Sequence, residues 1–196
     1  GTYTLGATLY VPSNVTIRMR AGVKVVKGTS NGGASIKVTK SLFHLIRPSR
    51  YHRTNAVSGY SGERNITFIG EGSGSSRATI DMNGVSASYA IVMAHNRNVT
   101  IQNLTFRRVK SGHFLEVSAV SGLTVKSSSF SDATGTATKE AINIDTPDDR
   151  TGGLNVVWSK SDCTPSEKVT ITGNSFRSVG RAIGTHKYSG SRCSTS

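Results

Sequence analysis

His113, Glu116, Glu140, Asp145, Arg181 and His186 are of the residue types that move protons or neutralise anions, and they recur at related offsets in the second half of the chain. Glu116 and Asp145, held at a suitable distance, could cleave a glycosidic bond: one protonates the leaving oxygen while the other activates water. His186 beside Asp145 is an alternative base, with the carboxylate fixing its tautomer and supporting its charged form. Arg181 and Lys187 would then neutralise a uronate carboxylate during β-elimination. His113 joins the catalytic candidates, and Tyr188, Glu140, His44 and Trp158 the substrate contacts. Asp145, Asp148 and Asp149, around the Pro147 turn, are oxygen donors suited to a hard cation such as Ca²⁺. The alternative is a row of stacked polar residues on a solvated sheet, with Glu140–Arg181 a surface ion pair worth at most about 1 kcal/mol.

These residues span over seventy positions, so only a repeat can bring them together. One is present. Asn14-Val-Thr-Ile17, Asn65-Ile-Thr-Phe68, Asn98-Val-Thr-Ile101, Gly122-Leu-Thr-Val125 and Lys168-Val-Thr-Ile171 share a turn residue followed by apolar, Thr, apolar. That alternation marks a strand with one buried face. Phe106, Phe130 and Phe176 each fall eight residues after the start of the phrase. The shortest interval is 24 residues and the others are 51, 33 and 46, the pattern of a solenoid coil with loops inserted at its corners. A second strand repeats further along each coil: Leu42–Ile46, Ala90–Ala94, Phe114–Ser118, Ala141–Asp145 and Ala182–His186. Its alternate positions stack as Phe43/Ile91/Leu115/Ile142/Ile183 and Leu45/Met93/Val117/Ile144/Thr185, an apolar interior. The expected fold is all-β, a single-stranded parallel β-helix solenoid with loop insertions.

The positions between must face outward. They stack as Tyr89/His113/Glu140/Arg181, as His44/Val92/Glu116/Asn143/Gly184, and as Ala94/Ser118/Asp145/His186. Coils about 4.8 Å apart and alternate residues about 6.7 Å apart place the Cα atoms of Glu116 and Asp145 roughly 8 Å from each other. That suits an inverting carboxylate pair. The resulting patch is expected to be solvent-exposed. Two long insertions flank it: the basic, aromatic 47–64 loop and the 147–167 loop that carries Trp158. As groove walls they would favour an enzyme, whereas a flat, open face would favour a binding module.

Composition agrees with a turn-rich β protein: 21 Gly, 4 Pro, 35% hydrophobic and 18% charged residues. Lys and Arg number 24 against 11 Asp and Glu, a net charge of +13 that predicts attraction to polyanions. The cations are spread along the chain rather than gathered, which argues against a dedicated nucleic-acid groove. No apolar run approaches the ~18 residues of a spanning helix. The sequence opens in strand-like residues without a signal-peptide pattern, and a trimmed fragment of a longer chain is expected. Residues 1–188 form the expected solenoid and 189–196 a Ser-rich tail; neighbouring domains or an oligomer would cap its strand edges. Cys163 and Cys193 either clip the C-terminal segment in an oxidising compartment or stay free. The Asn-x-Thr sequons at Asn14, Asn65, Asn98 and Asn103 are read as turn caps.

Asn98-Val-Thr-Ile-Gln-Asn-Leu-Thr-Phe106 and Lys168-Val-Thr-Ile-Thr-Gly-Asn-Ser-Phe176 resemble the repeats of right-handed parallel β-helix, pectate-lyase-like proteins. Gly70-Glu-Gly-Ser-Gly74 leading to Ala78-Thr-Ile-Asp-Met-Asn-Gly84 is similar to the coil preceding the active region in that superfamily. The resemblance implies a right-handed solenoid and leaves several activities open, among them lyases, polygalacturonases, epimerases, tailspikes and adhesins. The chain departs from the enzymes' patterns: Asp148 and Asp149 follow Pro147 rather than Gly, Gly112-His113 is followed by Phe114, and no Asp-Pro-His occurs. Two functions are expected from these observations. One is a secreted or surface carbohydrate-active protein that cleaves or binds an acidic polysaccharide or cell-wall glycan on the outward patch. The other is a non-catalytic stalk or adhesin module of a surface protein or phage receptor-binding protein.

Overall fold

β-Branched residues alternate with polar ones in runs too short for anything but small strands, and nearly every run is closed by a residue able to turn left-handed. The computed structural model describes residues 1–28, 40–137, 139–148, 154 and 156–185. All strand pairs among them are parallel, in sheets of six, six and five strands wound around one core: a parallel β-helix. The first sheet contains Thr2–Leu5, Lys24–Lys27, Thr79–Asp81, Thr105–Arg107, Ser129–Ser131 and Ser175–Arg177. The second contains Leu9–Tyr10, Ser41–His44, Tyr89–Ala94, His113–Ser118, Glu140–Asp145 and Arg181–Gly184. The third contains Thr16–Met19, Arg64–Gly70, Arg97–Gln102, Ser121–Lys126 and Glu167–Thr172. They are called here the phenylalanine, carboxylate and threonine sheets after the residues they stack.

The apolar phrase of the sequence is the threonine sheet, and its turn residue begins each rung. Asn14, Asn65 and Asn98 have φ of 64°, 56° and 52°, with Gly122 at 78° and Lys168 at 53° in the equivalent places. Asn tolerates this region because its short amide bonds locally. Here the amides bond to one another: Asn65 Nδ2 donates to Asn14 Oδ1 at 2.9 Å, and Asn98 Nδ2 to Asn65 Oδ1 at 3.2 Å. The sequence reading expected these amides to bond backbone; Asn103 does so, donating to the Gly70 and Gly72 carbonyls at 2.9 and 3.1 Å, whereas Asn14, Asn65 and Asn98 bond side chain to side chain. Gly70–Gly74 is likewise a turn, running into a short 3-10 helix at Gly74–Ser76.

Inward positions form the core. The predicted apolar ladder of the carboxylate sheet is observed, with Phe43 opposite Ile91, Ile91 opposite Leu115, Leu115 opposite Ile142, and Ile142 opposite Ile183. The phenylalanines stack along the axis: Phe106 on Phe130 with ring centroids 4.9 Å apart and planes 5° apart, then Phe130 on Phe176 at 5.1 Å and 10°. A second apolar cluster lies outside the solenoid, on the outer face of the carboxylate sheet. There Ile46, Val57, Leu154, Val156 and Trp158 pack onto Tyr89, Val92 and Ala94.

Phe130 is fully buried between two rings, so Phe130→Ala removes both stacking contacts and leaves a cavity. We expect urea unfolding to show a loss of about 3–5 kcal/mol for this variant.

Candidate functional site

The outward columns of the carboxylate sheet have the predicted register. Tyr89 pairs with His113, and Glu140 with Arg181. His44, Val92, Glu116, Asn143 and Gly184 follow one another rung by rung, as do Ala94, Ser118 and Asp145. His186, Lys187, Tyr188 and Asp149 lie outside the described residues, as do Cys193 and the 189–196 tail.

Their expected exposure is corrected by the structure. His44, His113, Glu116, Glu140 and Asp145 are all buried, none more than 4% exposed. The two insertions do not stand as groove walls; they fold over the sheet and meet. Asn55 donates its N–H to the Val157 carbonyl, Val57 bridges Ser159, and Gly59 N–H donates to Asp162 Oδ2 at 2.7 Å. Trp158 lies under this cover at 1% exposure, edge-on to His44 with ring centroids 6.0 Å apart. It therefore packs on the sheet and presents no face to a sugar.

Two residues the sequence did not single out fasten the cover. His95 Nδ1–H donates to the Gly59 carbonyl at 2.7 Å while its Nε2 meets Ser159 Oγ at 2.9 Å, so one imidazole ties both loops. Buried Glu63 receives Arg47 Nε at 2.6 Å, with Ser13 N–H and Oγ on its other oxygen. Burial works against its charge, yet the bonds from Arg47 and Ser13 hold its pKa below the ordinary value. An acid at the end of a basic loop was the available signal for this anchor.

Beneath the cover the acids are crowded. Asn143 Nδ2 donates to Glu116 Oε1 at 3.0 Å and to Asp145 Oδ2 at 2.9 Å, so one amide stands between the two carboxyl groups. Those two oxygens are consequently no more than about 6 Å apart, with the amide in the place of the catalytic water that an inverting pair requires. Asp145 Oδ1 also accepts from Thr185 Oγ1 at 2.8 Å, and Glu140 Oε1 accepts from Arg181 at 3.2 Å. His113 Nδ1–H donates to the Glu140 carbonyl at 2.6 Å. Burial, then the neighbouring Asp145 charge, pushes the Glu116 carboxyl up to about 8. Burial pushes the His44 imidazole down to about 3. Glu116 is thus held as a neutral acid and His44 as a neutral ring at pH 7. Asp148 is buried too, and among the described residues no group of three or more His, Cys, Asp or Glu side chains is arranged around a cation position.

The chain is similar to two solved structures of PfbA, a surface protein and adhesin of Streptococcus pneumoniae. One matches at 23% identity with a TM-score of 0.70 and the other at 22% with 0.71. Each alignment covers 96% of this chain but 48% and 44% of the respective PfbA chain, so this chain spans about half their length. No protein-family model and no curated protein matches the sequence.

The two displaced pKa values predict opposite pH slopes. Glu116, protonated to about pH 8 when folded against 4.5 ordinarily, gives the folded state an extra proton, so its contribution to stability is lost as pH rises between those values. His44, at about 3 against 6.5, gives the unfolded chain the extra proton, and its contribution is lost as pH falls from 6.5 toward 3. The slopes oppose each other between 4.5 and 6.5. We expect thermal unfolding to show a stability plateau over that window. Glu116→Gln removes the alkaline decline, and His44→Phe shallows the acid one. An alkaline decline that persists in Glu116→Gln would mean Glu116 is not buried as the acid.

Proposed function

We propose that this chain is a non-catalytic binding module of a surface protein, holding an acidic polysaccharide against the outside of its solenoid. The observation that carries this reading is the contrast between two faces. The carboxylates able to do chemistry are covered and share an amide, whereas the cations stand in the open. Arg64 and Arg97 are exposed and directly paired in register on adjacent rungs of the threonine sheet, and neither pairs with a carboxylate among the described residues. Like charges one rung apart are unfavourable by themselves. An anionic polymer laid along the axis would remove that cost. Arg18 and Lys168 are also exposed on this sheet.

Beside the arginines runs a ladder of five threonines, Thr16, Thr67, Thr100, Thr124 and Thr170, each opposite the next. They offer a hydroxyl about every 4.8 Å along the axis. A polysaccharide of similar repeat would meet a hydroxyl at successive rungs and a cation at the pair. Attachment also agrees with the likeness to the adhesin PfbA, and a surface location follows from the same reading.

The test is binding of polygalacturonate and a sulfated glycan to the whole chain at increasing salt, with polymer length followed in the same samples. We expect affinity to fall steeply as screening shortens between about 50 and 500 mM salt. The Arg64→Ala/Arg97→Ala double variant should lose about tenfold, or about 1.4 kcal/mol, and the polymers should stay intact. New reducing ends or unsaturated uronate absorbance, lost in Glu116→Gln, would overturn the reading in favour of an enzyme.

A further inference from the structure

The last described coil of the solenoid is packed from one side. Glu167–Thr172, Ser175–Arg177 and Arg181–Gly184 each lie at the end of their sheet, with one paired neighbour among the described residues. No residue from Lys160 to Thr185 is buried. In Glu140–Asp145, the strand next to Arg181–Gly184, every residue but Ile144 is buried. Segments with few buried contacts open locally at low cost. Yet this coil holds the acids beside it: Arg181 donates to Glu140 Oε1 at 3.2 Å, and Thr185 Oγ1 to Asp145 Oδ1 at 2.8 Å.

The sequence places one cysteine on each side of the coil. Cys163 precedes Glu167–Thr172, and Cys193, outside the described residues, follows Arg181–Gly184. Cys163 is disulfide-bonded, and Cys193 is the one other cysteine in the chain. The backbone around Cys163 is a fixed point. Its N–H donates to the Pro147 carbonyl at 2.9 Å. The residues flanking it are joined, with Asp162 Oδ1 accepting from Thr164 N–H at 3.1 Å and from Thr164 Oγ1 at 2.7 Å. Asp162 Oδ2 accepts the Gly59 N–H, so this turn is also tied to the cover over the carboxylate sheet.

We infer that Cys163 bonds to Cys193 of the same chain, and that this covalent ring, closed around the last coil, holds the coil onto the solenoid. Closing a ring of about 30 residues removes conformations from the opened coil, which favours the folded one. The bond forms by exchange: the two thiols give up two protons and two electrons to a disulfide oxidant, here oxidised glutathione, which leaves as two thiols. Such bonds persist in the oxidising surroundings of secreted and surface proteins and are opened in a reducing cytosol. Retention of the last coil, and with it the bonds from Arg181 and Thr185 to Glu140 and Asp145, therefore depends on the redox state. The inference makes no use of the glycan-binding reading; it rests on the bonded state of Cys163 and on the number of cysteines.

Non-reducing peptide mapping of the whole chain, with hydrogen exchange in the oxidised and dithiothreitol-reduced protein, tests it. The map should join Cys163 to Cys193 in a monomer. Reduction should speed exchange in Glu167–Thr172 and Arg181–Gly184 at least about tenfold and leave Arg97–Gln102 unchanged. Cys163→Ser and Cys193→Ser should each reproduce the acceleration, and the double variant should add nothing to it. Oxidised glutathione should restore slow exchange in the reduced wild type. A covalent dimer, two free thiols after oxidation, or exchange in the last coil that reduction does not change would overturn the assignment.

Discussion

Parallel coils stacked in register place each residue directly against its equivalent one rung away, about 4.8 Å distant. Like therefore sits on like, and whether that helps or hurts depends on the side chain. Phenylalanine on phenylalanine gains contact, and the near-parallel stack of Phe106, Phe130 and Phe176 runs along the core for that reason. Asparagine on asparagine also gains, because an amide carries both donor and acceptor and Asn14, Asn65 and Asn98 bond in series. Charge on charge loses. Among the described residues, Arg64 and Arg97 accept that loss directly opposite each other, whereas the buried Glu116 and Asp145 are diagonal neighbours that face Asn143 and Ser118.

The two are resolved differently. Glu116 and Asp145 lie within reach of one Asn143 amide, and burial, then the neighbouring Asp145 charge, raises the Glu116 pKa so that the pair carries less charge. Covering this layer has its own cost. Both His44 nitrogens and Trp158 Nε1 are buried without a hydrogen bond among the described residues, and each such group is unfavourable by about 1–3 kcal/mol. The cover over the carboxylate sheet is therefore held by its apolar packing and by the His95 and Glu63 anchors. Arg64 and Arg97, by contrast, face solvent.

Most of the fold was legible in the sequence because a solenoid writes its register as a repeat. The ladder from His44 through Glu116 to Gly184 could be read from alternation alone, and it is the observed pairing. The phenylalanine sheet was visible only through its phenylalanines, since its strands are three or four residues long and Thr2–Leu5 and Lys24–Lys27 carry no part of the phrase. Exposure of the site was not legible. Alternation separates inward from outward, and outward means solvent only when nothing lies above. Leu154, Val156 and Trp158 alternate over only five residues and Val57 stands almost a hundred positions away, so their gathering into a second apolar cluster on this sheet is a tertiary event that local pattern does not encode.

Hydrogen exchange of the whole chain, with and without an acidic oligosaccharide, tests most directly which surface the ligand occupies. The account predicts slowed exchange in Arg64–Gly70 and Arg97–Gln102, with the carboxylate sheet and its covering loops unchanged. Protection concentrated in His113–Ser118, Glu140–Asp145 and the 47–62 loop would contradict it, because the ligand would then have entered beneath the cover and met the acids.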